Sequence, residues 1–244
     1  MDSYEIFIDA WVSAVKKLES IKEILTIYLS GSVARGDYKI GFSDIDIYVV
    51  TKYNNRSFSD IQTVTENLTH CYLPEMTNWY PDCVTIAYES HENIINGKTW
   101  LGMGSYYFSF IESAKLLYGE NIKGLLKKPE DFDIQKTSKD ILTQLSEVFK
   151  QDFSIPKDKS SYRGLIGNFF TGLHFFLALN GVFARDKFAM LSNLAENYPE
   201  YKEIADFMRK LWESDDFLDI SDEKFDCLLE KVKDFSISIG KRTL

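Results

Sequence analysis

The chain has 244 residues, with 28 basic and 37 acidic residues, a formal charge of −9 and three cysteines. This length allows one large domain or two small ones, and the acidic balance argues against general binding to a nucleic-acid backbone, which requires a basic surface. Cys71, Cys83 and Cys227 are widely spaced, which argues against a disulfide framework and a Cys-x-x-Cys zinc site. The acidic amino-terminal stretch and the lack of an apolar run of bilayer-spanning length predict a cytoplasmic protein without membrane contact.

The first part of the chain alternates between helical and strand patterns. Phe7, Trp11, Val15 and Leu18 recur at helical spacing and predict an amphipathic first helix. Runs of β-branched and aromatic residues then predict strands, separated by polar and glycine-containing loops. The predicted strands are residues 25–30, 44–51 and 83–88, with a helix over residues 58–68 between the second and the third.

Only helical patterns follow the third strand. An aromatic-rich stretch predicts a helix over residues 106–118. Residues 162–179 are apolar on nearly every side, which is typical of a helix buried in a bundle, and Asn180-Gly181 suits its end. The sequence therefore predicts an α+β fold, with strands and helices in residues 1–125 and an all-helical domain in residues 126–244. The other predicted helices are residues 139–149, 186–197, 200–214 and 222–239.

Two carboxylates lie at the start of the second predicted strand. Asp44 and Asp46 are two residues apart, so a strand would point both side chains to one face, whereas Ile45 and Ile47 would point into the core. Two carboxylates on one face suit Mg²⁺, which prefers oxygen ligands and commonly binds one or two carboxylates together with substrate phosphates. A pair of solvated acids on a strand end is the alternative that this motif alone leaves open.

A glycine-serine pair follows the first predicted strand. Gly31 allows the backbone to approach a phosphate closely, and a helix beginning here would present N–H donors to an anion. The Ser32 hydroxyl adds a donor, and Arg35, one turn later, would contact phosphate oxygens or solvent. Taken alone, Gly31-Ser32 is also compatible with an ordinary turn. Together with the Asp-x-Asp strand that follows, the pair predicts a phosphate cradle beside a metal site.

The combined motif, Gly31-Ser32-x-x-x-Gly36 followed by Asp44-Ile45-Asp46, resembles that of the nucleotidyltransferase superfamily that includes DNA polymerase β. The sequence looks most similar to the small-molecule branch, which contains the aminoglycoside nucleotidyltransferases. The resemblance implies a catalytic domain with a mixed sheet and flanking helices, followed by a helical carboxy-terminal domain. It also implies transfer of a nucleoside monophosphate from a triphosphate to a hydroxyl.

The same resemblance implies the residues of the site. The metal ligands, which are also catalytic, are Asp44 and Asp46. The nucleotide-binding residues are Gly31, Ser32, Arg35 and Lys187. The implied cofactor is Mg²⁺, and the implied substrate is ATP or another nucleoside triphosphate. For Lys187, an exposed lysine in the first turn of a helix is an equally good interpretation.

One position departs from the family's pattern. Many members carry a third carboxylate on the next strand, where this chain has Thr85. The general base is then left among Glu89, Glu112 and Glu147. Glu147 is preferred because its helix is placed about where some members carry a catalytic glutamate. Burial of Glu112 among its aromatic neighbours would raise its pKa and make it a candidate as well.

The sequence therefore predicts a Mg²⁺-dependent enzyme that moves AMP from ATP onto a hydroxyl of a small molecule. An aminoglycoside-type antibiotic is the best-known acceptor of the resembling family. Acids crowded between residues 213 and 226 would attract a cationic acceptor or form a solvated surface, and Trp79, Tyr80 or Trp100 would line its cleft. Two alternatives stay open: a homologue that binds nucleotide or a protein partner without catalysis, and a transferase that modifies a macromolecule in a toxin–antitoxin-like system. No motif specifies an oligomeric state.

Overall fold

The computed structural model describes residues 1–53, 57–96, 110–126, 133–151, 154–214 and 216–242. These residues form two compact units, one containing the described residues up to 126 and the other those from 133 onward. Every strand that the structure describes lies in the first unit. The predicted α+β fold is therefore confirmed, with its sheet in the first part of the chain and helices in the second.

The first unit consists of short strands connected by helices and turns. Its helices are α1 (Ser3–Val15), α2 (Gly31–Arg35), α3 (Ser59–Tyr72), α4 (Pro74–Thr77) and α5 (His91–Ile95), and its strands are β1 (Ile24–Ser30), β2 (Ile45–Thr51), β3 (Val84–Ser90) and β4 (Lys115–Gly119). Asp2 caps α1, because its carboxylate accepts hydrogen bonds from the backbone N–H groups of Tyr4 and Glu5 at 2.9 and 3.0 Å.

The described strands form one mixed sheet in the order β3-β2-β1-β4. β1 pairs antiparallel with β2 and with β4, whereas β2 and β3 run parallel. The register places Ser30 of β1 opposite Asp46 of β2, and Asp46 opposite Thr85 of β3. Pairing therefore brings the end of β1 and the beginnings of β2 and β3 to one place in the sheet.

One face of the sheet is packed against apolar residues of α1 and α3. Ile45 and Ile47 of β2, which were predicted to face the core, are buried in this cluster together with Val49. Because side chains alternate along a strand, Asp46 lies on the other face of the sheet. Tyr48 and Val50 on that face are buried as well, so Asp46 is a half-buried polar residue at the beginning of an otherwise buried strand.

The helix predicted over residues 106–118 is wrong in its second half, where Lys115–Gly119 forms β4. Gly119 has φ of +80°, and a Cβ atom there would overlap the carbonyl of Leu25 in β1, so close pairing of the two strands requires a glycine. Pairing with a strand that is distant in sequence outweighs the local helical pattern. Residues 106–109 of that predicted helix lie outside the described residues.

The second unit consists of packed helices. They are α6 (Ile134–Lys150), α7 (Lys159–Leu179), α8 (Lys187–Asn197), α9 (Lys202–Glu213) and α10 (Asp222–Lys241). As predicted, α7 is buried over most of its surface, and Gly181, with φ of +76°, lies just beyond its end. A Cβ atom at Gly240 of α10 would overlap Ser146 of α6, so these two helices approach closely. No helix in the described ranges is long and apolar enough to cross a membrane.

Candidate active site

The two parts of the sequence motif touch each other at the end of β1. Gly31, the residue after the strand, has φ of +66°, a conformation that favours glycine. A Cβ atom on Gly31 would overlap the carboxylate of Asp46. On the neighbouring position, the Ser30 hydroxyl donates to the Asp46 carbonyl at 3.3 Å. The glycine of the Gly-Ser pair is therefore required by the Asp-x-Asp strand as well as by its own turn.

Ser32 lies in the first turn of the five-residue helix α2 and is only 7% exposed. Its carbonyl accepts hydrogen bonds from the N–H groups of Gly36 at 2.9 Å and Asp37 at 3.2 Å. Gly36 closes the helix in the left-handed conformation, with φ of +84°. These bonds make the segment from Gly31 to Asp37 one compact turn after β1.

Arg35 is held by a carboxylate that the sequence analysis did not single out. Its Nε atom lies 3.2 and 3.3 Å from the two carboxylate oxygens of Asp37, which is 4% exposed. The pairing fixes the Arg35 guanidinium against the Asp37 carboxylate. The spacing Arg-Gly-Asp, with the glycine closing α2, is the signal in the sequence that would have indicated this pair.

The carboxylates of the motif are both half-buried. Asp46 is the second residue of β2, and Asp44 directly precedes the strand, which begins one residue later than predicted. The hydroxyl of Tyr80 lies 3.5 Å from Oδ2 of Asp44. Tyr80 and Trp79 lie close together, with ring centroids 5.9 Å apart, so two aromatic side chains lie near Asp44. Trp100, which was also predicted to line a cleft, lies outside the described residues.

The third strand supplies no carboxylate beside Asp46. Thr85 is paired with Asp46 in the register and is exposed. Glu89, on the same strand, is 4% exposed and accepts hydrogen bonds from the Ser90 N–H at 3.2 Å and from Asn93 Nδ2 at 2.8 Å. Glu89 is therefore engaged at the junction of β3 and α5. Within the ranges that the structure describes, no group of three or more histidine, cysteine or acidic residues is arranged to hold a metal ion.

The remaining glutamates that were considered as the base are exposed. Glu112 is exposed, so the burial that would have made it a candidate is not found. Glu147 lies on an exposed side of α6, where its carboxylate pairs with the ammonium of Lys150 at 2.6 Å. The assignment of Glu147 as the base stays a prediction.

Lys187 is the first residue of α8 and stands over two aromatic rings of the second unit. Its Nζ atom lies 4.5 Å from the ring centroid of Trp212 and 5.5 Å from that of Phe170. Distances of this order are favourable for a cation–π interaction. The ammonium therefore has a structural role in the helical unit, and its predicted contact with nucleotide phosphates stays a prediction.

The fold sets a Gly-Ser turn beside an Asp-x-Asp motif on a mixed sheet, an arrangement that suits an enzyme acting on a phosphate-bearing substrate. Residues 12–99, just over a third of the chain, match the family model described as the nucleotidyltransferase domain. This part of the chain is thus a nucleotidyltransferase domain, and the predictions of this superfamily and of a transferase enzyme are confirmed. The substrate class that follows is a nucleoside triphosphate. No curated protein matches the chain.

Proposed function

We propose that this enzyme transfers AMP from ATP to a hydroxyl group of a small molecule, with Mg²⁺ held by Asp44 and Asp46. The observation that carries the proposal is the contact between Gly31 and the Asp46 carboxylate. The contact supports the proposal because a backbone turn suited to binding phosphate would then lie directly beside an oxygen ligand suited to the metal.

The residues at this place fit a magnesium ion. Asp44 and Asp46 offer hard oxygen ligands and are half-buried, so they are reachable from solvent. Mg²⁺ is commonly bound by one or two carboxylates, with water and substrate phosphates as its other ligands. A two-carboxylate site therefore suits it although Thr85 stands where a third ligand is common in the resembling family. When bound, the metal would offset negative charge on the triphosphate and on the departing pyrophosphate.

The chain's own residues would mainly bind and orient the reactants. Gly31, Ser32 and Arg35 would hold the phosphates, with Arg35 oriented by Asp37. The acceptor oxygen would form a bond to the α-phosphorus while the bond to the oxygen that bridges the α- and β-phosphorus atoms breaks. Pyrophosphate leaves, and the acceptor's proton passes to a base, for which we propose Glu147. Positioning supplies most of the rate in such an in-line transfer.

A cationic acceptor such as an aminoglycoside is supported by the resemblance and by the net charge of −9. The acids near the end of the chain support it less than their number suggests. The ammonium of Lys157 lies 2.6 Å from Asp226 and 3.9 Å from Asp222, and that of Lys224 lies 3.7 Å from Asp216. These pairs lower the local negative charge. We therefore propose a hydroxylated small molecule as the acceptor class, with aminoglycosides as the first compounds to be tested. If aminoglycosides are modified, the consequence would be antibiotic resistance.

The test is pyrophosphate release from ATP and Mg²⁺ in the presence of aminoglycosides and lincosamides. The expected result is turnover with at least one acceptor that is lost in Asp44→Asn and Asp46→Asn. Asp82→Asn is the matched control, because Asp82 is an exposed acid two residues before β3, and it should keep full activity. Turnover that survives both motif substitutions would contradict the proposed site.

A second candidate function rests on Thr85, which stands beside Asp46 in the register where a carboxylate is common. Under this alternative the chain binds nucleotide without transferring it. The same assay separates the two candidates when nucleotide binding is measured alongside. Metal-dependent ATP binding that is weakened in Asp46→Asn, together with no pyrophosphate release from any acceptor, favours the binding protein.

A further inference from the structure

A tight turn leads directly into Asp44. The Ser43 N–H donates to the Lys39 carbonyl at 2.9 Å, and the Lys39 N–H donates to the Ser43 hydroxyl oxygen at 2.9 Å. On the other side, the Ile45 N–H donates to the Cys83 carbonyl at 2.9 Å and begins the pairing of β2 with β3. Asp44 is the single residue between the turn and the strand. Its orientation therefore depends on how firmly both are held.

The turn is held by a tyrosine from the beginning of the chain. Tyr4, in the first turn of α1, is 1% exposed. Its hydroxyl donates to the Ser43 carbonyl at 2.6 Å and accepts from the Gly41 N–H at 3.1 Å. Burial raises the pKa of Tyr4 well above the ordinary value, so the hydroxyl keeps its proton and stays a donor.

The bond to Ser43 acts directly on the position of Asp44. The carbonyl of Ser43 and the N–H of Asp44 belong to one peptide group, which is planar. A donor that fixes the direction of this carbonyl therefore fixes the plane from which the Asp44 backbone departs. The bond joins residues that are 39 positions apart, so no local signal in the sequence indicates it.

Tyr4 is itself held in place. Its ring stacks on that of Tyr38, with centroids 5.5 Å apart and an angle of 17° between the planes. The Tyr38 hydroxyl donates to Asp2 at 2.5 Å, and Asp2 caps the helix that carries Tyr4. The first turn of α1 and the Tyr38 segment therefore form a rigid support for the Tyr4 hydroxyl.

We propose that Tyr4 is a positioning residue for Asp44, acting through the Ser43–Asp44 peptide group. This role rests on the proposed metal site at Asp44 and Asp46. Tyr4 lies outside residues 12–99, the segment that matches the nucleotidyltransferase domain. The role is thus carried by contacts in this chain and makes α1 part of the support of the site.

The test compares three substitutions, of which two each remove one buried hydroxyl between α1 and its neighbours. Tyr4→Phe keeps the ring and deletes the bonds to the turn. Thr65→Val keeps a similar volume and deletes the hydroxyl of α3 that accepts the Trp11 indole N–H at 2.8 Å, remote in sequence from the turn. Ser43→Ala, which deletes the bond from Lys39, loosens the same turn by an independent route.

Hydrogen exchange of the full-length protein without nucleotide measures the turn itself. In Tyr4→Phe the amides of Gly41 and Ser43 should exchange about tenfold faster than in the wild type, as expected when one buried hydrogen bond is lost. Thr65→Val should leave these two amides unchanged. Equal exchange in Tyr4→Phe and the wild type would overturn the positioning role without reference to nucleotide transfer.

Binding of Mn²⁺ in the presence of α,β-methylene-ATP, followed by electron paramagnetic resonance, measures the consequence for the site. Tyr4→Phe should weaken Mn²⁺ binding about tenfold, within the range seen when residues that support metal ligands are changed. Ser43→Ala should weaken it less, and Thr65→Val should not. Wild-type affinity in Tyr4→Phe overturns the positioning role alone. Equal binding by the wild type and Asp46→Asn overturns the proposed metal site, and the positioning role with it.

Discussion

The turn after β1 and the helix surfaces of the second unit place their candidate residues in different ways. Around Gly31, strand pairing sets Ser30 against Asp46, and the glycine leaves space for the carboxylate. In the second unit, Glu147 pairs with a lysine one turn away, and Lys187 stands over aromatic rings. A motif in a sheet is assembled by backbone pairing that reaches across the sequence, whereas a polar residue on a helix readily finds a partner nearby. The predictions below use this difference.

The largest effect is expected from Gly31→Ala. The new Cβ atom overlaps the Asp46 carboxylate, and displacement of a reacting group by about 1 Å is enough to lower a rate about 100-fold. The rate of pyrophosphate release and the unfolding temperature should both fall. Gly36→Ala is the matched control, because Gly36 also has positive φ but no atom within 4 Å of the added Cβ. It should show only the backbone strain, about 1–2 kcal/mol of stability.

Glu147→Gln tests whether a helix-surface residue takes part in the chemistry. As the proposed base, its loss should lower kcat about 100-fold or more while nucleotide binding stays unchanged. Asp140→Asn, an exposed acid on the same helix, should have no effect. A kcat equal to that of the wild type would mean that Glu147 forms only its surface pair with Lys150, which is worth less than about 1 kcal/mol.

Asp37→Asn tests the ion pair between Asp37 and Arg35 in the turn after β1. Removing the charge that orients Arg35 should raise the KM for ATP about tenfold, the cost of one charge-assisted hydrogen bond. The unfolding temperature should fall as well, because the Asp37 carboxylate is buried. Asp9→Asn, an exposed acid of α1, is the control. An unchanged KM for ATP would mean that Arg35 does not contribute to nucleotide binding.

The smallest effect is expected from Lys187→Met, which keeps the packing over Trp212 and removes the charge. If Lys187 contacts phosphate, the KM for ATP should rise about threefold, a change in line with one exposed charge pair, and Lys187→Arg should restore it. Steady-state kinetics with both variants is the measurement. A Met variant with the KM of the wild type but a lower unfolding temperature would assign Lys187 to the cation–π interaction alone.

The resemblance of the Gly-Ser and Asp-x-Asp motif to that of a known family predicted the nucleotidyltransferase superfamily, and hydrophobic periods were enough to predict the mixed strands and helices of the first part and the helical second part. They failed where a distant partner decides the local structure. β4 forms because Lys115–Gly119 pairs with β1, although its sequence resembles the end of a helix. Glu89 is a different case: its carboxylate accepts hydrogen bonds from the neighbouring residues Ser90 and Asn93 at the junction of β3 and α5, which the strand pattern does not indicate.

The sequence by itself determined which residues we propose for the chemistry, because Gly31, Ser32, Asp44 and Asp46 lie in one short segment whose spacing is set by a strand, a turn and a second strand. Only the tertiary structure decided how these residues are supported. The register places Thr85 beside Asp46, and Tyr4 holds the peptide group before Asp44. Spacing along a strand is a local property of the backbone, whereas hydrogen bonds between distant elements depend on how the whole sheet and its helices pack.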